Sequence, residues 1–223
     1  MVEDTSNEIE GIIEDILINN NVKLGDKLWK LRIESMTSSI LDLVKMDLDR
    51  LSSLNMVPIE FEIPFGYWGD FTIPIDGQDL KIVGKIDRID KVLSEDKYVL
   101  YDYKSSFYGI RKIKDILLGI SFQLPVYIMS QGSRKIIGSG YIIIKDGMVS
   151  MEMVREEEMD TLGIKRKGKY VLDEEKWNEL MLNVVDTMKD YLNRIFNGDF
   201  SINPKHCDGY CNYKDICRYN SRR

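Results

Sequence analysis

Apolar positions recur at helical spacing over the first quarter of the chain. Residues 8–20 and about 26–54 read as helices. In the second, Leu28, Leu31, Ile40, Leu41, Leu43, Val44, Leu48 and Leu51 recur at roughly helical spacing, with neither Gly nor Pro after Gly25. Pro58 closes that region. PIEFEIPFG then sets Ile59, Phe61 and Ile63 against Glu60 and Glu62, the two-residue period of a strand.

A meander follows in DFTIPIDGQDLKIVGKIDRIDKVLSEDKYVLYDYKSS, with Asp76-Gly77 and Ser94–Lys97 as its turn signals. Residues 111–131 switch to helical character, and 136–154 return as a hairpin around Lys145-Asp146-Gly147. The clearest helix starts at Asp173, an N-cap, and carries the stripe Trp177, Leu180, Met181, Val184, Met188, Tyr191, Leu192 and Ile195 before Gly198. That order predicts a mixed α/β (α+β) fold around a central sheet. A helical segment at 1–57 and a cysteine-rich tail at 201–223 flank a core at 58–200.

With 223 residues and 43% hydrophobic content, the chain can bury one substantial core. No apolar run approaches a membrane span, and the acidic start MVEDTSNEIE is unlike a signal peptide, so a cytoplasmic location is expected. A net charge of −6 excludes a broadly basic nucleic-acid coat but leaves room for local basic tracks. RKIK at 111–114, IKRKGK at 164–169 and the terminal CRYNSRR are such tracks, with solvated surface charge as the plainer reading. No GxxxxGK[ST] loop occurs, so an ATPase motor is not encoded in these residues.

The charges that matter sit in strands. Asp102 and Lys104 in KYVLYDYKSS share one strand face, and burying such a pair costs several kcal/mol per ion unless each finds partners. LKIVGKIDRIDKV, the preceding strand, is joined to it by a short turn, and antiparallel pairing brings Asp87 toward 102–104. Two carboxylates converging on a lysine suit a hard divalent cation with retained waters and phosphodiester hydrolysis as the chemistry. A structural salt bridge is the competing reading. In GISFQLPVYIMSQ, Gln123 and Tyr127 stand at i, i+4 on one helix face, where Gln123 reaches substrate and Tyr127 either reaches it or packs.

GKIDRID, YVLYDYKSS and QLPVY, in that order, resemble the PD-(D/E)xK nuclease superfamily. The likeness is to its RecB-like branch, and within that to the C-terminal nuclease domain of AddB-type helicase–nuclease subunits. Glu62-Ile-Pro-Phe65-Gly66 stands for that family's first motif. The resemblance implies a restriction-endonuclease-like core with a mixed sheet flanked by helices, and Mg2+- or Mn2+-dependent exonuclease activity on DNA, single-stranded ends above all, in repair or recombination. It implies Asp87, Asp102 and the Tyr103 carbonyl as metal ligands, Glu62 as a further acid, Lys104 as catalytic, and Gln123 and Tyr127 as accessory substrate residues. Arg88 and Asp90 either orient the site or form an ordinary surface ion pair. A helicase–nuclease partner is implied too.

Cys207, Cys211 and Cys217 in CDGYCNYKDIC resemble the three-cysteine set that, with one upstream cysteine, holds a 4Fe–4S cluster in such nucleases. Zn2+ with His206 is the alternative. The chain has 3 cysteines and 1 histidine, so a fourth cysteine and the metal-binding histidine usual upstream of the sheet do not occur within it. It is expected to be either a piece of a longer protein or a variant lacking both. The competing functions are a stand-alone CRISPR-type nuclease and a catalytically silent DNA-binding scaffold.

Overall fold

Six strands form one mixed sheet, in the computed structural model, in the spatial order β1 (Met56–Phe65), β4 (Gly84–Val92), β5 (Lys97–Lys104), β6 (Lys135–Ile143), β7 (Met148–Arg155) and β8 (Val171–Leu172). The structure describes residues 2–22, 27–69, 71–75, 78–205 and 216–217. Strands β2 (Thr72–Ile75) and β3 (Gln78–Lys81) form a separate antiparallel ribbon. Pairing is antiparallel from β1 through β5, parallel between β5 and β6, antiparallel from β6 to β7, and parallel to β8. A parallel pair needs a crossover, which here carries α3 (Ile113–Leu117) and α4 (Gln123–Ser130).

Alternation along β5 divides the core in two. Val99 and Tyr101 face Leu51 of α2 (Lys27–Ser53), together with Val92, Ile137, Ile142 and Val154. Tyr98 and Leu100 face the other way, with Ile89, Leu124, Tyr141 and, from α5 (Glu174–Phe196), Trp177, Leu180 and Val184. Each fully buried aliphatic side chain here contributes about 1.5–3 kcal/mol. Helix α1 (Val2–Asn19) packs on α2 and starts earlier than residue 8. No helix among the described residues is long and apolar enough to cross a membrane.

The caps of α5 match the sequence reading. Asp173 Oδ1 accepts from the Lys176 N–H at 2.9 Å, and Gly198 takes a φ of +71° just past the helix. The stripe does not stay buried to its end, since Ile195 is exposed.

One expectation changes. The helix over 111–131 is two helices. Gly119 breaks it at φ +67°, and Asp115 O accepts from the N–H of both Ile120 and Ser121. Strand β1 does not bury Ile59 and Phe61. It is an edge strand with a register shift between Pro58 and Glu60, and Phe61 lies under the Arg88 guanidinium, 5.9 Å from ring centroid to Cζ, instead of in the core.

At the β6–β7 pair, a Cβ on Gly140 would sit 2.4 Å from the Ser150 carbonyl oxygen and 2.9 Å from Met151 Cα. Both are backbone atoms and cannot swing aside. Gly140→Ala is expected to cost roughly 1–3 kcal/mol, read as a lower thermal midpoint by calorimetry. An unchanged midpoint would mean the hairpin shifts freely.

Candidate active site

The β4–β5 ladder stops short of its end, and that opening builds the site. Cα pairing runs from Lys91 opposite Tyr98 to Arg88 opposite Tyr101. One step further, Asp87 Oδ2 accepts the Tyr103 backbone N–H at 2.8 Å. A carboxylate thus takes the place of a strand carbonyl, and Asp87 is brought beside 102–104 as the turn predicts. The Tyr103 main chain, whose carbonyl is the expected third ligand, is thereby tied to Asp87.

Asp102 is 3% exposed, on the α4 face of the sheet. Its Oδ1 accepts from Gln123 Nε2 at 2.5 Å and from the Tyr127 hydroxyl at 3.3 Å. Gln123 Nε2 also donates to the Tyr127 hydroxyl at 3.1 Å, so the i, i+4 pair acts together. Lys104 Nζ lies 2.5 Å from Asp102 Oδ2 and donates to Gln123 Oε1 at 3.2 Å. The Lys104 ammonium is thus the charged partner of the buried Oδ2. Burial pushes the Asp102 carboxyl above the usual range, while the Lys104 ammonium pulls it back and Asp87 pushes it further up. Burial likewise raises the Tyr127 hydroxyl, keeping it a donor at neutral pH.

Two aspartates converging where β4 and β5 part, one of them holding an ammonium on a buried oxygen, are a hard oxygen donor set that fits a divalent metal. No group of three or more His, Cys, Asp and Glu side chains disposed to hold a metal occurs among the described residues. Two carboxylates suit Mg2+, which keeps several waters, better than a cation needing an all-protein cage. Glu62 stands apart. Its φ is +55°, and its exposed carboxylate is ion-paired to Lys85 on the neighbouring strand. Cys217 is a half-buried thiol outside any disulfide, whereas Cys207, Cys211 and His206 lie outside the described residues.

Arg88 and Asp90 are no surface pair. They are 4% and 0% exposed, on the sheet face opposite Asp102, in a network reaching α2. Arg88 donates to Asp90 Oδ1 through Nε at 2.6 Å, and through Nη1 to Asp47 Oδ2 at 2.6 Å and the Tyr103 hydroxyl at 3.3 Å. Arg50 Nη2 donates to Asp90 Oδ2 at 2.7 Å and to Asp47 Oδ1 at 2.8 Å, and its Nη1 reaches the Tyr101 hydroxyl at 3.0 Å. Burial works against the Arg88 charge, but Asp90 and Asp47 outweigh it and hold the guanidinium above its ordinary value. Sequence reasoning missed Asp47 and Arg50. The available signal was their place in the helical stripe of Leu43, Leu51 and Leu54, where a polar residue faces inward.

Comparison with known proteins agrees with this geometry. The chain is similar to the B-type subunit of the ATP-dependent helicase/deoxyribonuclease of Ruminiclostridium cellulolyticum, with 23% identity covering 96% of this chain and 24% of that protein. The protein of the same name from Clostridium tetani is 29% identical over 76% of this chain and 17% of its own length. That from Latilactobacillus sakei is 26% identical over 66% and 14%. The chain therefore spans about a quarter or less of the length of these relatives. A profile of the PD-(D/E)XK nuclease superfamily, whose members generally use divalent metals such as Mg2+, matches residues 3–218. The splayed β4–β5 end with its two aspartates and lysine, and the match over nearly the whole sequence, place the chain in the PD-(D/E)XK nuclease superfamily.

Proposed function

We propose that the Asp87–Asp102–Lys104 site hydrolyses DNA phosphodiester bonds with Mg2+ or Mn2+, as an exonuclease on single-stranded ends in repair or recombination. The observation that supports this best is the convergence of Asp87 and Asp102 where β4 and β5 part, with Lys104 paired to the buried Asp102 Oδ2. Asp87 and Asp102 would hold the metal with the Tyr103 carbonyl. Such an ion would supply Lewis acidity toward a water and the phosphoryl group. Gln123 and Tyr127 grip Oδ1 of Asp102 and so fix the orientation of the carboxylate, whose Oδ2 faces Lys104. Lys104 Nζ holds the attacking water or a phosphoryl oxygen in position. The names of the relatives support assembly with a helicase–nuclease partner.

End-labelled single-stranded oligonucleotide is expected to be degraded from its ends with Mg2+ or Mn2+ and left intact in EDTA. Absence of cleavage with both metals, alone and with a helicase partner, overturns the reading.

A further inference from the structure

Two basic tracks far apart in sequence converge in the folded chain. Lys112 and Lys114 of the 111–114 track and Lys169 of the 164–169 track line one hollow of about 450 Å³ between α3 and β7. An adjoining hollow of about 460 Å³ shares Lys169, Ile113 and Leu117 with it and adds Lys167 and Lys176 beside α5. Together they form a groove carrying five lysines on a chain whose net charge is −6.

The lysines are not all neutralised. Lys167 is ion-paired to Glu156 at 2.6 Å and Lys176 to Asp173. Lys112, Lys114 and Lys169 have no ion pair among the described residues. Of the acids in the lining, Glu152 is already engaged, accepting from the Ser150 hydroxyl at 2.8 Å and the Ile113 N–H at 3.3 Å, and Glu179 is the other.

The groove also reaches the cleavage site. Asp102 lies opposite Tyr141 across β5–β6, and Tyr141 opposite Ser150 across β6–β7. Ser150 lines the groove, so its edge is two strand spacings, about 10 Å, from Asp102 on the same sheet face. Between Lys104 and Lys112 the chain makes the turn Phe107–Gly109, anchored by buried Ile110. This turn packs on the Lys104 stem, since a Cβ on Gly109 would lie 3.2 Å from Lys104 Cδ. It presents Tyr108 at 97% exposure, with Phe107 beside it at 42%. An aromatic ring held open to solvent four residues before Lys112, whose charge is shared with Glu152, matches what a single strand offers, unstacked bases beside phosphates.

We infer that the groove holds the phosphate backbone of the single strand the site cuts, with Tyr108 stacking a base between groove and scissile bond. The inference rests on the nuclease reading for the direction of travel, but binding alone tests it. Fluorescence anisotropy with a dye-labelled oligothymidine in EDTA measures affinity without cleavage. The triple variant Lys112→Ala, Lys114→Ala, Lys169→Ala is expected to bind at least tenfold more weakly. Its slope of log affinity against log salt is expected to be shallower by about 2. Arginine at the same three positions is expected to restore binding, which separates charge loss from misfolding. Tyr108→Ala is expected to weaken binding roughly fivefold or more at unchanged salt slope. Triple-variant affinity within twofold of the parent chain, or a parent chain that does not bind oligothymidine at low salt, overturns the inference. Tight binding without cleavage in Mg2+ or Mn2+, alone and with a helicase partner, sinks the nuclease reading and leaves the groove standing.

Discussion

Lys104→Ala is expected to slow DNA cleavage by roughly 10²–10⁴-fold, the range for a positioned proton-transfer group. The side chain contacts Asp102 Oδ2, Gln123 Oε1 and, through its charge, the Tyr141 ring 5.5 Å away. On the proposed mechanism alanine removes the positioning lysine, and in any case it strips a buried carboxylate of its cation. The second effect has its own signature. Burial already raises the folded-state pKa of Asp102, and losing Lys104 raises it further. A carboxyl whose folded pKa lies above its unfolded value favours folding more as pH falls, because the folded chain then binds the extra proton. The variant is accordingly expected to be less stable than the parent near pH 7 and to regain part of that difference toward pH 5. Single-turnover cleavage at saturating metal reads the first effect, and thermal melts at the two pH values read the second. A variant that cleaves at the parental rate would remove Lys104 from the chemistry.

Removing Asp90 is expected to have the largest effect on stability. Asp90 is wholly buried and holds both Arg88 and Arg50, and among the described residues Asp47 is the other acid paired with these guanidinium groups. Asp90→Ala leaves two buried guanidinium groups sharing one carboxylate, a change that costs about 3–5 kcal/mol. For a chain of this size that lowers the melting temperature by roughly 10 °C. Equilibrium urea unfolding gives the number directly, and a loss below about 1 kcal/mol would show that water replaces the missing carboxylate. The network touches Tyr101 and Tyr103 as well, so its loss also slackens the strand whose main chain binds Asp87.

The parts that could be read from sequence are those whose partners lie close along the chain. Asp87 meets the 102–104 strand because a short turn joins the two. Gln123 and Tyr127 share a face because they are four residues apart on a helix, and both contact Asp102. What could not be read depends on distant partners. Arg88 and Asp90 look like a surface pair until α2, some forty residues earlier, lays Asp47 and Arg50 across them. Alternation in β1 suggests a buried strand, but an edge strand has a neighbour on one side only, and Phe61 finds its partner in a guanidinium. The break at Gly119 was visible as a glycine. From α5 the Tyr191 hydroxyl donates to the Gly119 carbonyl at 3.1 Å, a distant contact the sequence does not show.

The parallel pairing of β5 and β6 has a consequence for how such a chain can diverge. Gln123, Tyr127, the Phe107–Gly109 turn and the lysines of α3 all arrive within the single crossover, residues 105–134. The aspartates and the lysine belong to the strands on its near side. A crossover that kept Gln123 and Tyr127 on Asp102 could otherwise be exchanged while the carboxylates stay in place. It is a cassette whose ends are pinned by two adjacent strands, and its remaining surface can drift while those contacts stay fixed.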